Sequence, residues 1–582
     1  MPSSTLPAVA VIADAHFHDL EGDYDFAGIR VGERRLTMRS WADTRRSTRV
    51  FNESFAALPA ALDEIHGRGI RHVVLLGDYT DDGQRKTTDS VVDLLQRYRD
   101  DRGLSFYALP GNHDVFGPRG KHQLTRYVAE DGGSALVTSD PDAAAGDPHH
   151  SILTAKMYCE GQPAGLLPMA GFGYFHQPGY LHWETPFGSN DAPEARMYDI
   201  FSADGQTLRR LMDASYLVEP EAGLWLLMID ANVFEPQNGN WDMAQKKAFI
   251  DSSNAGWNAV LRLKPFLIDW IADVSARAKK RGKCLLGFSH YPVIDPFDQG
   301  SVDELALFGR TAIVKRTPAA AVAEALAGAG LHVHFSGHYH VNGLSSRNIG
   351  GRTLTNIAVP SLVAFPAAFK IVRPLSQAVD VETVTLSAMA VDPTVLAVYA
   401  AETRKAGEEP DAAFSAHNYG DFLYAHGRAL AVHRFMPREW PEEVMEAIGQ
   451  RSAEDLCLLM MGAPVAFQGA SATLAARAAD PRLLGALADL AGCHAIDIED
   501  LQNCAMSDLI ADWYCLRQAR GLALGYISPE RIALYRFLAE QFGDAAASER
   551  QSLTAYMARF LAVLGYALWR AMPDDGIRVQ MD

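Results

Sequence analysis

The stretch HVHFSGHYHVNG, residues 332–343, ends an apolar run in a glycine that is followed by two histidines, His338 and His340. In an extended chain, residues two apart lie on the same face, so both imidazoles can point at one place. Imidazole is the commonest metal ligand in proteins. The pair therefore suggests a metal site, provided that the rest of the chain supplies further ligands.

Other oxygen and nitrogen donors follow four more apolar runs. They are Asp14 and His16 after AVAVIA, Asp78 after HVVLLG, Asn112 after LSFYALPG, and His290 after KCLLGFS. Gly77, Gly111 and Gly337 each precede one of the donors, where a residue without Cβ permits close backbone approach. Donors of these types without cysteine suit divalent Mn, Fe or Zn and do not suit a structural thiolate site. Their number exceeds the needs of one ion and suits two, and two-metal sites are typical of phosphoester hydrolysis.

The elements that must position these donors alternate along the chain. Short apolar runs alternate with helical segments such as NESFAALPAALDEIHGRG and TTDSVVDLLQRYRDDRG, a pattern that predicts an α/β layered architecture. In such sheets, sites form beyond the carboxyl ends of strands, so donors from distant parts of the chain converge there. Between about Asp131 and Glu221 the pattern gives way to Gly, Pro and aromatic residues. We interpret that segment as an insertion over the site. The alternative is that it is a surface loop without a function.

Beyond about Asp392 the predicted strands stop. Segments such as LCLLMMGAPVAF and LTAYMARFLAVLGYALWRAM indicate buried or amphipathic helices. We therefore predict a catalytic unit over residues 1–392 and an all-α C-terminal domain over residues 393–582. The sequence leaves three roles open for this tail: covering the active site, self-association, or stabilising the rest of the chain.

Composition narrows the function classes. The 582 residues carry a formal net charge of -18, which argues against nucleic acid as a partner because phosphate contacts dominate such binding. Six cysteines without a CxxC pair indicate free thiols in a reducing compartment. The N-terminus has no basic leader, and no stretch approaches the ~18 apolar residues of a membrane span. We predict a cytoplasmic protein without a membrane partner.

Five ordered blocks resemble the calcineurin-like metallophosphoesterase superfamily over about Ala8 to Asp392. They are DAH at 14–16, GDYTDDG at 77–83, GNHD at 111–114, SHYP with His290, and GHYH at 337–340. The resemblance implies a layered metallophosphoesterase sandwich of mixed sheets flanked by helices. It also implies a ligand set. In that set Asp14, His16 and His340 hold one divalent ion, Asn112, His290 and His338 hold the other, and Asp78 bridges them.

The resemblance also implies two catalytic residues. His113 would contact the phosphate and protonate the leaving oxygen, and Asp114 would orient His113 by accepting its other ring proton. Histidine suits this role because its ordinary titration falls near neutral pH, and general acids of this kind contribute ~10²- to 10⁴-fold. The implied reaction is hydrolysis of a small phosphoester by a hydroxide held between two metal ions.

Several alternatives stay open at this point. We favour phosphodiesters as substrates, with phosphomonoesters as the first alternative. A non-catalytic scaffold would be expected to have lost ligands, and none is missing here. A nuclease needs a continuous basic track, and none is evident in the sequence.

Two further groups of residues have both a functional and a structural interpretation. Arg45, Arg46 and Arg49 suit phosphate recognition, although a solvated helix face also explains such a cluster. Tyr174, His176, His182 and Trp183 could line a pocket for a base or sugar, or form a small aromatic core.

Overall fold

A computed structural model of the protein describes residues 6–239, 241–298, 300–571 and 576–581. Residues 1–5, part of the N-terminal segment for which we predict no leader, lie outside the described residues. Within those ranges the strands, labelled β1 to β20 in chain order, are Val9–Ile12, Ile29–Val31, Arg34–Leu36, His72–Leu75, Ser105–Ala108, Leu124–Val128, Ser134–Thr138, Ser151–Leu153, His182–Glu184, Met197–Phe201, Leu208–Met212, Tyr216–Glu221, Leu224–Met228, Cys284–Phe288, Val333–Ser336, Gly343–Ile349, Arg352–Ala358, Ala368–Pro374, Ala378–Thr385 and Ile577–Gln580.

The α-helices are labelled α1 to α20 in the same way. They are Trp41–Thr44, Ser54–Gly67, Arg85–Arg102, Pro141–Gly146, Gly256–Leu263, Phe266–Arg281, Gly300–Phe308, Ala312–Arg316, Ala320–Gly328, Pro393–Lys405, Tyr419–Leu430, Met436–Glu439, Glu442–Ile448, Ala453–Met460, Ala470–Ala478, Pro481–Cys493, Ile498–Asn503, Met506–Ala519, Pro529–Phe542 and Leu553–Arg570. The predicted helices over 52–69 and 87–103 correspond to α2 and α3 and are confirmed.

Two mixed sheets form the centre of the molecule. The six-stranded sheet has the order β20-β19-β18-β1-β4-β5, and the seven-stranded sheet has the order β16-β17-β15-β14-β13-β12-β9. Strands β1, β4 and β5 run parallel in the first sheet, and β13, β14 and β15 run parallel in the second. The carboxyl ends of each parallel set therefore meet at one sheet edge, as the predicted site requires.

The alternation of side chains along β13 shows how the layers pack. Leu226 belongs to a core cluster that also contains Val73 of the other sheet, so the two sheets share one core. Leu227 points the opposite way and belongs to a second cluster with Trp270 and Ile271 of α6. Successive strand residues point to opposite faces, so each sheet is covered on both sides. The predicted α/β layered fold is confirmed.

The predicted insertion over residues 131–221 is wrong in its C-terminal part. Strand β12 pairs with both β13 and β9, which makes these residues part of the seven-stranded sheet. Tyr174 and Trp183 are buried in the shared core, so the aromatic-core interpretation holds for both. The sequence hides these strands because β9 has only three residues and lies in a Gly- and Pro-rich stretch.

The C-terminal region is helical from α10 to α20, as predicted. The all-α prediction fails at its end, since β20 pairs with β19 and returns the chain to the six-stranded sheet. The pattern IRVQ is too short to reveal such a strand. Within the described ranges, no helix combines the length and apolarity needed to cross a membrane.

The tail packs directly onto the two-sheet part of the chain. Arg517 of α18 lies 2.9 Å from the Glu304 carboxylate of α7, and both side chains are buried. Gln518 donates a hydrogen bond of 3.1 Å to the carbonyl of His340, and its own carbonyl accepts one of 2.8 Å from the Asn342 amide. The tail therefore supports the loop that carries the GHYH block.

Candidate metal centre

The donors predicted from the sequence converge at the carboxyl ends of five strands. Asp14 and His16 follow β1, Asp78 follows β4, Asn112 follows β5, His290 follows β14, and His338 and His340 follow β15. Backbone hydrogen bonds continue beyond the strands and hold these loops side by side. The His16 amide donates to the Asp78 carbonyl at 2.8 Å, and the Gly337 amide donates to the His290 carbonyl at 2.9 Å.

Five of the donors have a backbone conformation that is rare for residues other than glycine. Their φ angles are 50° for Asp14, 39° for His16, 50° for Asp78, 72° for His338 and 57° for His340. A left-handed residue other than glycine costs about 1–3 kcal/mol, and such residues cluster at functional sites. The strain is concentrated where the predicted ligands lie, which favours a functional over a merely structural role for this edge of the sheets.

One group of donors surrounds the end of β1. The Nε2 atoms of His16 and His340 lie 3.2 Å apart, and His340 Nε2 lies 3.4 Å from Asp14 Oδ1. The other ring nitrogen of His340 lies 3.2 Å from the carbonyl of Thr48, which fixes the direction of the ring. These three side chains are buried and could hold one metal ion together.

A second group adjoins the first through Asp78. His290 Nε2 lies 3.3 Å from Asp78 Oδ2, 3.2 Å from His338 Nδ1 and 3.3 Å from Asn112 Oδ1. The same Asp78 oxygen lies 3.7 Å from His16 Nε2 of the first group. Asp78, His290 and His338 could hold a metal ion. Asp78 therefore lies between the two groups, as its predicted bridging role requires.

The donor set fits divalent cations. Two pairs of buried ring nitrogens lie 3.2 Å apart, and a proton or a cation is needed between lone pairs at that distance. All donors are nitrogen or carboxylate and amide oxygen, the set preferred by Mn, Fe and Zn in non-structural sites. A cation at each group would also satisfy imidazoles that burial keeps from water.

Glycine is required at two of the predicted positions because a ligand side chain lies against the backbone there. A Cβ on Gly111 would lie 2.1 Å from Asp78 Oδ1, and one on Gly337 would lie 2.4 Å from Asp14 Oδ2. Contacts under 3.0 Å essentially never occur for a real Cβ. Any larger residue at either position would displace a predicted ligand.

The pKa of His290 is shifted in the direction opposite to those of His16 and His338. Burial, and then the positive charge of Arg49, lower the pKa of His16 well below its ordinary value. Burial also opposes charge on His290, but the Asp78 carboxylate outweighs it and raises the pKa of His290 to about 9. Metal ligation needs the neutral imidazole, so a cation at the second group would displace a proton from His290.

His113 lies beside the first group, but its partner differs from the predicted one. Its Nδ1 lies 2.7 Å from Asp82 Oδ1, and its ring centroid lies 4.9 Å from that of His16. Asp114 does not orient His113, so that prediction is wrong. The Asp114 carboxylate instead accepts hydrogen bonds from the amides of Asp78, Thr80 and Gly111.

Asp82 is thus a functional residue that sequence reasoning missed. Burial alone would raise its pKa, but the hydrogen bond with His113 and the charges of His113 and Arg49 bring the pKa below its ordinary value. Its only signal in the sequence is membership of the GDYTDDG block, which does not distinguish it from Asp81. Asp81 is bound by Arg49 instead, at 2.8 Å.

The Asp82→Asn variant is expected to lose roughly 10- to 100-fold in activity while keeping its metal, since such orienting partners typically contribute that much. An asparagine would replace the charged carboxylate acceptor of the His113 ring by a neutral amide, whose oxygen is a weaker acceptor. The loss should be larger for alkyl phosphoesters than for p-nitrophenyl esters, because only the former need a proton on the leaving oxygen.

Asp114→Asn serves as the contrast for this prediction. It should lower the melting temperature, and any loss of activity should be equal for both ester types. Equal sensitivity of the Asp82 variant to the two ester types would contradict the orienting role.

Two of the three predicted arginines, Arg45 and Arg49, form ion pairs within the protein. Arg45 forms an ion pair with Glu408 of the tail. Arg49 is buried against Asp81 near the site. Ser253, which the sequence did not indicate, contacts two predicted ligands of the second group. Its carbonyl lies 3.0 Å from His338 Nε2, and its hydroxyl accepts a hydrogen bond from Asn112.

Comparison with known proteins finds a family match over the first part of the chain. The family model described as calcineurin-like phosphoesterase matches residues 7–161. A similar solved structure is that of a dimetal phosphatase from Danio rerio, with 15% sequence identity and a TM-score of 0.35, covering 66% of this chain and 98% of that chain. No curated protein matches the chain. The family match confirms the resemblance for the DAH, GDYTDDG and GNHD blocks.

Proposed function

We propose that this chain, whose residues 7–161 match the calcineurin-like phosphoesterase family, is a hydrolase of phosphoesters that uses two divalent metal ions. The observation that carries the proposal is the convergence of buried imidazoles and carboxylates from four strand ends into two adjoining groups, which the Asn112 amide joins from a fifth strand end. A scaffold without activity has no need for such strained and desolvated donors.

The ligand assignment follows the two groups. Asp14, His16 and His340 would hold one ion, Asn112, His290 and His338 would hold the other, and Asp78 would contact both. When bound, two such ions lower the pKa of a water to near neutrality and offset the charge of the phosphoryl oxygens. Mn, Fe and Zn all suit this donor set.

The chain's own residues supply the proton. With Nδ1 donated to Asp82, His113 presents Nε2 for transfer of a proton to the leaving oxygen. The His113 side chain is 26% exposed, so a substrate can reach it, whereas Asp14, His16 and Asp78 are nearly inaccessible.

We favour phosphodiesters over phosphomonoesters, a preference that stays a prediction from the sequence. The test compares rates for bis-p-nitrophenyl phosphate and p-nitrophenyl phosphate with manganese-supplemented protein. A ratio well above one supports the diester proposal, and a ratio well below one replaces it by a monoesterase. No turnover of either ester by protein with two ions bound would support the scaffold alternative.

A further inference from the structure

Three arginines from distant parts of the chain lie beside the metal centre. Arg46 follows α1, Arg316 ends α8, and Arg434 lies in a π-helical turn of the tail, Ala431–Phe435. A guanidinium nitrogen of Arg434 donates a 3.0 Å hydrogen bond to the carbonyl of Arg46. Burial, and then the positive charges of Arg438 and Arg316, lower the pKa of Arg434.

Hydrogen bonds connect this cluster to the predicted ligands. Arg316 Nε donates to Asn254 Oδ1 at 3.2 Å, and the preceding residue, Ser253, contacts His338 through its carbonyl. On the other side, Thr48 lies two residues after Arg46, and its carbonyl contacts His340. The arginines therefore lie at the border of the site, on loops that touch ligands of both metal groups.

The charges of this cluster are not neutralised within the protein. Among the residues that the structure describes, Arg46, Arg316 and Arg434 form no ion pair, whereas neighbouring Arg45 and Arg49 do. Glu439 offsets part of the charge near Arg434 but does not pair with it. Like charges close to one another repel. An anion bound between the guanidinium groups would relieve this repulsion.

We propose that the substrate carries a second phosphate group, which Arg316 and Arg434 bind while the scissile phosphoester lies at the metal centre. Guanidinium groups suit phosphate oxygens because they offer several donors in one plane. The inference rests on the proposed function and extends it to a substrate class. It also gives the tail a direct part in substrate selection, since Arg434 belongs to it.

The test measures binding by titration calorimetry of the manganese-loaded full chain. Two ligand pairs that differ by one phosphate provide the probes: thymidine 5′-monophosphate against thymidine 3′,5′-bisphosphate, and AMP against ADP. We expect at least one doubly phosphorylated ligand to bind about tenfold or more tightly than its partner, since charge-assisted hydrogen bonds typically contribute that much. The difference should shrink as salt is added.

Variants identify the residues responsible. Arg434→Gln and Arg316→Gln should each bring the affinity ratio towards one, and Arg434→Lys should restore part of it. The matched control is Arg482→Gln, which removes an exposed arginine elsewhere in the tail and should leave the ratio unchanged. Metal content is measured in every variant.

Three results would overturn the inference. Equal affinities within both ligand pairs would do so, as would a preference that survives both glutamine substitutions at normal metal content. Tighter binding of a long single-stranded oligonucleotide, with a steep salt dependence, would reassign the cluster to nucleic acid. Because calorimetry needs no turnover, a protein that binds the second phosphate yet hydrolyses no ester contradicts the proposed function alone.

Discussion

The Asp78→Ala variant is expected to lose both metal ions and hydrolytic activity, with a rate reduced roughly 10³-fold or more, since metal ions contribute several kcal/mol to such reactions. Asp78 lies between the two ligand groups, 3.3 Å from His290 and 3.7 Å from His16. Its other oxygen accepts the amide hydrogen of His113 at 2.7 Å, so the substitution also frees the loop that carries the general acid. Metal content measured by mass spectrometry and the rate with a p-nitrophenyl ester check the prediction.

The matched control is Asp89→Asn, which changes an exposed aspartate of α3 and should alter neither metal content nor rate. Circular dichroism separates loss of metal from loss of fold, and the variant should keep its secondary structure. Full metal stoichiometry in folded Asp78→Ala protein would contradict the bridging assignment.

The second large effect concerns His113. The His113→Ala variant is expected to lose ~10²- to 10⁴-fold in activity towards an alkyl phosphoester while both metal ions stay bound, since His113 transfers a proton and is not assigned as a ligand. The loss should be much smaller for a p-nitrophenyl ester, because p-nitrophenolate leaves without a proton. Comparing the two rates in one preparation makes the prediction independent of protein concentration.

His122→Ala provides the control, since His122 also lies in this region and contacts Ser139 rather than a predicted ligand. Its rates should match those of the unaltered protein for both esters. A His113 variant that loses one equivalent of metal would instead make His113 a ligand, which the proximity of His16, Asp78 and His113 permits.

The seven predicted ligands could be found from the sequence because each follows an apolar run within a short motif. Parallel strands bring such positions to one edge whatever the details of packing. The layered fold could be predicted for the same reason, since the alternation of strand and helix is repeated several times. The structure brings all seven side chains together.

The partner of His113 could not be chosen from the sequence. Asp82 and Asp114 both lie within motifs, and either could reach the ring in principle. The structure decides because Asp114 is buried beneath the loop, where amides of Asp78 and Gly111 occupy its carboxylate. Such a choice depends on how three loops stack, which neither spacing nor periodicity records.

The contacts of the tail could not be predicted from the sequence either, because they join segments that are far apart in the chain. Its helices follow from their apolar pattern, but nothing in that pattern places Arg434 beside Arg46, 388 residues earlier in the chain. The strand β20 is likewise visible only through its pairing with β19. Contacts between distant segments depend on the completed core, so side chains that these contacts bring to the site escape sequence analysis.

The most direct test of the two-metal account is a titration of chelator-treated protein with Mn²⁺, in which bound metal and hydrolysis of a p-nitrophenyl ester are measured together. We expect binding to reach two ions per chain and activity to rise with the second equivalent. Full activity in metal-free protein, or a plateau of activity at one bound ion per chain, would contradict it.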